Sequence, residues 1–255
     1  MNEPTVRRCI LVPIDPHGMH PVVLETIVRI ARQLDRNLLG LLLEDIRLLR
    51  IADLPFTTEI SLNSGQERNL LRDHLLQHQS LISAEIRRQL IDLAARNRVE
   101  LSFENAAGER WTTVMDRDGK QDIFLPARKR WHAQPTDHSR KANIVARLGV
   151  VLANDVTDAR IMSTAAALSK ANLVGDIYIL AKHPPPQEAL LDLYRPGHQI
   201  RLQANFSCTA EDLVKLIKHS PYDLLLLPGQ SLQDIPSSVL EAALDKASGQ
   251  VLVIN

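Results

Sequence analysis

A short stretch, Asp15-Pro16-His17-Gly18-Met19-His20, follows the apolar run Ile10 to Ile14 and precedes Pro21, a residue that opens helices. A position beyond the carboxyl end of a strand, just before a helix, is where open parallel sheets bind ligands. Asp15, His17 and Gly18 are therefore the first candidate binding residues. They combine a carboxylate, an imidazole and a permissive backbone. Asn154 follows a second apolar run in the same way, and Gly229 follows a third, Tyr222 to Leu227. His74 and His78, four apart beside Asp73, have the spacing of a helical metal pair. No third ligand accompanies them, H-E-x-x-H is absent, and a packed or surface pair with no metal is the expectation. Arg128, Lys129, Arg130, Arg140 and Lys141, with Trp131, could grip an acidic partner or single-stranded RNA. A solvated connector is the expectation there, and nucleic acid is not a predicted partner.

Composition narrows the classes further. Thirty basic and thirty acidic side chains cancel, which removes the global field of a dedicated nucleic-acid binder. With 255 residues, 45% of them hydrophobic, the chain can bury a substantial core in one large or two small domains. No apolar run approaches a membrane span and Met1 to Asp15 enters a strand without a signal-peptide core, so a soluble cytoplasmic protein without membrane insertion is expected. Cys9 and Cys208 share no metal-ligand spacing, fall in predicted strands and read as buried reduced thiols.

The elements that must position these residues read as α/β. Arg8 to Ile14 is a strand. A helix from Pro21 buries Leu24, Ile27, Val28, Ala31 and Leu34 and stops at Asn37, and Leu38 to Leu43 is a second strand. Residues 46–64 read as a covering loop with a short helix. Ser64-Gly65-Gln66-Glu67 reads as a capping box opening a long helix, striped by Leu71, Leu75, Ile82, Ile86 and Leu93 and ending near Asn97. Val99 to Phe103 is the next strand. Trp111 to Met115 fits a short helix or a hairpin strand, with the helix favoured because QDIFLPA at 121–127 repeats the pattern of YDLLLLPG at 222–229. That echo implies an internal duplication: a first copy over 1–127, a linker over 128–144 and a second copy over 145–255. In the second copy Ser238 and Glu241 read as a capping box, Gly249 as a helix stop and Val251 to Ile254 as a final strand.

Residues 10–45, ILVPIDPHGMHPVVLETIVRIARQLDRNLLGLLLED, and the closing PYDLLLLPGQSLQDIPSSVLEAALDKASGQVLVIN resemble the universal stress protein family. The resemblance covers nearly all of the chain as two copies, each incomplete. It implies two Rossmann-like halves with parallel sheets, of the adenine nucleotide alpha hydrolase-like type. It also implies a nucleotide site at Val12, Asp15, His17 and Gly18, in which Asp15 contacts the base or ribose of the adenosine, with Asn154 and Gly229 as the candidates of the second copy. The family's phosphate loop, G-x-x-G followed nine residues later by G-S or G-T, is absent from both copies. Pro228-Gly229-Gln230-Ser231-Leu232 stands in its place in one, and Ala127-Arg128-Lys129-Arg130 in the other. A β-carbon at those positions obstructs close backbone approach to a phosphate. His17-Gly18-Met19-His20 also resembles the H-x-G-H of nucleotidyltransferases, with the glycine one position early.

Three functions are expected, in order: a non-enzymatic regulatory or stress-response protein acting through protein contacts, with no cofactor; an adenine-nucleotide sensor for ATP or AMP at Asp15; and an adenylyl-transfer enzyme using His17 and His20. Because the first copy stops before its fifth strand, residues 251–254 are expected to present a free edge, and with it a homodimer interface, unless Trp111 to Leu125 or residues 46–64 cover that edge within one chain.

Overall fold

The computed structural model describes residues 8–15, 19–44, 50–60, 64–108, 110–115, 117, 121–127 and 144–255. The first part of the chain runs β1 (Cys9–Ile14), α1 (Pro21–Gln33), β2 (Asn37–Glu44), β3 (Thr58–Ile60), β4 (Glu67–Asn69), α2 (Arg72–Asn97), β5 (Leu101–Ala107), α3 (Arg110–Met115) and β6 (Asp122–Leu125). The second runs β7 (Val145–Val151), α4 (Asp158–Lys170), β8 (Val174–Leu180), α5 (Gln187–Leu193), β9 (Ile200–Gln203), α6 (Ala210–His219), β10 (Leu224–Pro228), α7 (Gln230–Gln233), α8 (Ser237–Leu244) and β11 (Gln250–Ile254). Nine of these strands form one sheet in the order β5-β2-β1-β6-β11-β10-β7-β8-β9, while β3 and β4 form a separate antiparallel pair. Every neighbouring pair in the large sheet is parallel except β6 and β11. The sheet is thus a four-stranded and a five-stranded parallel section pointing opposite ways and joined at one antiparallel seam.

The central strands read as unbroken apolar runs because both of their faces are covered. On one face, Val12, Leu148, Leu226 and Leu252 pack beneath α1, α2, α4 and α5. On the other, Leu11, Leu225, Val251 and Val253 pack beneath α3, α6, α7 and α8. The expectation of an α/β protein with a large, mostly parallel sheet holds, and the arrangement is consistent with a Rossmann-like one. No helix among the described residues is long and apolar enough to cross a membrane.

Several expectations are corrected. Residues 251–254 present no free edge, because β6 pairs with β11 at Val251↔Leu125, Leu252↔Phe124 and Val253↔Ile123. The antiparallel pairing of β6 occupies the position that a missing fifth strand would leave open, and the interface expected there is buried. Ser64 does not open a helix. Its hydroxyl accepts from the Gln66 N–H at 3.4 Å, Gly65 takes a left-handed φ of +65°, and Glu67 pairs in β4, with its carboxylate accepting from the Thr58 hydroxyl at 2.7 Å. The long helix starts at Arg72, and its buried line is Gln79, Ile86, Leu90 and Ala94, while Leu71 lies exposed. Asn37 does not follow α1 as a stop but begins β2, the turn being made by Asp35 with φ +50°. Cys208 lies after β9 rather than within it, because Asn205, at φ +67°, turns the chain first.

Candidate functional site

Each parallel section has one place where the chain leaves two neighbouring strands in opposite directions across the sheet, and ligands of open α/β sheets sit at such crevices. In the four-stranded section this is the gap beyond β1 and β6. Asp15 stands half-buried directly after β1, with Pro126 and Ala127 after β6. Val12 is buried in the core beneath α1, at 2% exposure, and does not reach the crevice. His17 and Gly18 lie outside the described residues, as do 128–143 of the basic linker. His20 is engaged structurally: it caps α1, with its Nδ1 accepting from the Val22 N–H at 3.3 Å. An imidazole nitrogen here does what a serine or aspartate oxygen does at most helix starts.

Beside the end of β6 lies a buried group that the sequence did not single out. Arg110, at the start of α3, is 2% exposed, with its guanidinium donating to Glu241 Oε1 at 3.2 Å, Asp245 Oδ1 at 2.7 Å and the Pro126 carbonyl at 3.1 Å. Glu241 Oε2 accepts from the Trp111 N–H at 3.1 Å. Glu241 is therefore not the second half of a capping box with Ser238; α8 is preceded by Pro236 and has no side-chain cap. The carboxylate instead meets a buried cation, which it shares with the partly exposed Asp245.

In the second crevice, beyond β7 and β10, the loop after β7 bonds to itself. Asn154 is exposed with φ +61°, and the N–H groups of Ala153 and Asn154 both donate to the Asp158 carboxylate at 3.0 Å. Asp155 accepts in turn from the Thr157 N–H at 2.7 Å. Adjacent N–H groups of this kind form an anion site in many proteins; here a side chain of the same loop already holds them. Burial raises the Asp158 carboxyl above its ordinary range; the Ala153 and Asn154 N–H groups oppose the rise, and Asp155 adds to it through its charge while opposing it through its N–H. Gly229 is likewise committed. Its N–H donates to the Ile254 carbonyl at 2.9 Å, and a β-carbon there would collide with the Asn255 side chain. Cys208, with its Sγ 3.7 Å from the Ser231 hydroxyl, is half-buried, and its thiol is pushed up by burial and then by Asp155, Asp158 and Asp212, against the Ser231 contact.

His74 and His78 are exposed on α2, and among the described residues no three His, Cys, Asp or Glu side chains gather into a metal site. The chain matches no family model and no curated protein. What its geometry offers is asymmetric. The first crevice carries the half-buried carboxylate of Asp15, whereas in the second the Ala153 and Asn154 N–H groups are held by Asp158, with Asp155 beside it. The sequence shows Asp15 because strand ends are readable; it cannot show Asp158 on its two N–H groups, which is a matter of loop conformation.

Proposed function

We propose that the chain is a non-catalytic regulatory protein of the universal stress protein type, built as two Rossmann-like, adenine nucleotide alpha hydrolase-like halves and acting through protein contacts. The strand order supports the paired halves: β5-β2-β1-β6 and β9-β8-β7-β10 run alike, and β11 completes only the second. The observation that carries the contact role is a concentration of exposed apolar side chains between residues 51 and 81. Leu54 is 59% exposed, Phe56 98%, Ile60 68%, Leu71 51% and Leu81 64%. Apolar surface gathered in one segment marks interaction sites on soluble proteins. The partner is a second copy of this chain or another protein. Light scattering over a wide concentration range, with Phe56→Asp and Leu81→Asp beside the native chain, tests this. The native chain should associate with itself or retain a defined co-purifying protein, and both variants should lose that association while keeping their fold by circular dichroism. Variants that associate like the native chain would refute the reading.

Asp15 favours a second reading, an ATP or AMP sensor at the first crevice. With its phosphate loop absent, ATP should bind more weakly than about 10 μM in calorimetry. Should binding be tighter, Asp15→Ala is expected to weaken it more than Asn154→Ala.

A further inference from the structure

Between α2 and the carboxyl ends of β2 and β5 lies an open-sided cavity of about 560 Å³. That volume falls within the range of small-molecule sites. The cavity is separate from both crevices; its wall overlaps the end of the exposed apolar stretch at Leu76 and Gln79, but its chemistry does not rest on the contact role proposed for the chain. Its wall is chemically divided. Leu42, Leu43 and Leu76 supply apolar surface, while Gln79, Ser83 and Arg87 recur at every fourth residue along one side of α2.

The two ends of that row are informative. Gln79 is 6% exposed, and its Nε2 has no hydrogen-bond partner among the described residues. A buried, unsatisfied amide donor costs stability, and a site of this kind calls for an acceptor supplied from elsewhere. Arg87 is exposed, stacks at 5.1 Å over the Phe103 ring and makes no ion pair among the described residues. Stacking fixes the guanidinium plane and leaves its edge N–H groups free for a carboxylate. Its neighbour Arg88 is already held by Glu85, at 2.7 Å, and by Asp92 at 3.8 Å. Glu44 on the wall opposes a second negative charge. Eight residues of helix separate Gln79 from Arg87, or about 12 Å of axial rise.

We propose that this cavity binds an amphipathic monocarboxylate with an oxygen acceptor at its far end. The carboxylate pairs with Arg87, the distal oxygen accepts from Gln79 Nε2, and an apolar chain of medium length lies along Leu42, Leu43 and Leu76. Three probes separate the parts: 8-hydroxyoctanoate, octanoate and 1,8-octanediol, titrated calorimetrically into the full chain. The hydroxy acid should bind with Kd of about 0.1 mM or tighter, octanoate several-fold more weakly, and the diol not at all below about 1 mM. Arg87→Gln should weaken both acids about tenfold or more. Gln79→Leu should abolish the preference for the hydroxy acid while raising the melting temperature of the free protein, because it removes a buried unpaired donor; a merely structural glutamine would not give that opposition. Absence of binding at 1 mM, equal binding of diol and acids, or acid binding indifferent to Arg87→Gln overturns the proposal. If one variant fails to fold, the other and the native probe ranking still decide it.

Discussion

The two ends of the antiparallel seam are stitched by charge clusters of opposite sense. Where β6 ends, a buried cation, Arg110, is held by Glu241, Asp245 and the Pro126 carbonyl. Where β6 begins, a buried anion, Asp122, meets Arg160 at 3.1 Å, Arg36 at 3.9 Å and the Asn255 N–H at 3.2 Å. The partners differ in solvation. Glu241 is buried with Arg110 and only the second acid, Asp245, reaches water, whereas at the other end both partners, Arg36 and Arg160, are partly exposed, at 23% and 29%. The first end thus has a dry central pair, Arg110 and Glu241, and the second a buried anion whose partners are both wetter. A lone antiparallel junction inside an otherwise parallel sheet gains specificity from both, since a register slip would separate each central charge from its partners.

The largest expected effect is at the dry end. Glu241→Ala leaves the Trp111 N–H without its acceptor and the buried Arg110 guanidinium with only Asp245 and the Pro126 carbonyl, and should cost about 2–4 kcal/mol in denaturant unfolding. Asp122→Ala should cost less, about 1–3 kcal/mol, because the two arginines left behind can hydrate. An Asp122 penalty as large as that of Glu241 would erase the distinction between the ends. A joint replacement of Arg110 and Glu241 by leucines that is milder than Glu241→Ala alone would sharpen it, by showing that the single-mutant cost comes from a buried charge left short of acceptors.

The seam also marks the limit of what the sequence makes legible. β1, α1, β2, β10 and β11 are readable because apolar runs and helical spacing are local signals, and Asp15 is readable because it ends one of those runs. The β6 to β11 pairing joins residues more than 120 positions apart and leaves no periodicity behind. Ser64-x-x-Glu67 and Ser238-x-x-Glu241 satisfy the same capping pattern, yet one Glu is drawn into a two-stranded ladder and the other onto Arg110. A four-residue pattern does not encode which distant group competes for its carboxylate. The same reason hid the crevice chemistry: Gly229 looks in sequence like the remnant of a phosphate loop, but its N–H is spent on the Ile254 carbonyl.

The smallest effect expected lies beside the wetter end, where α4 carries both Arg160, bound to Asp122, and Asp158, bound to the Ala153 and Asn154 N–H groups. Burial and the charge of Asp155 raise the Asp158 carboxyl above its unfolded value, so the folded state holds its proton to higher pH than the unfolded chain does. Stability therefore falls as pH rises from the unfolded to the folded value, and at neutral pH the shift is a modest penalty. Asp158→Asn removes that titration. Its stability should lose this falling component between the two carboxylate values, relative to the native protein, in parallel urea titrations across the acid range. It also removes the anion from the two N–H groups, so sulfate should raise the melting temperature of Asp158→Asn more than that of the native chain. An equal response to sulfate would mean that the second crevice has no latent anion site, and that its loop is shaped by Asp158 for folding alone.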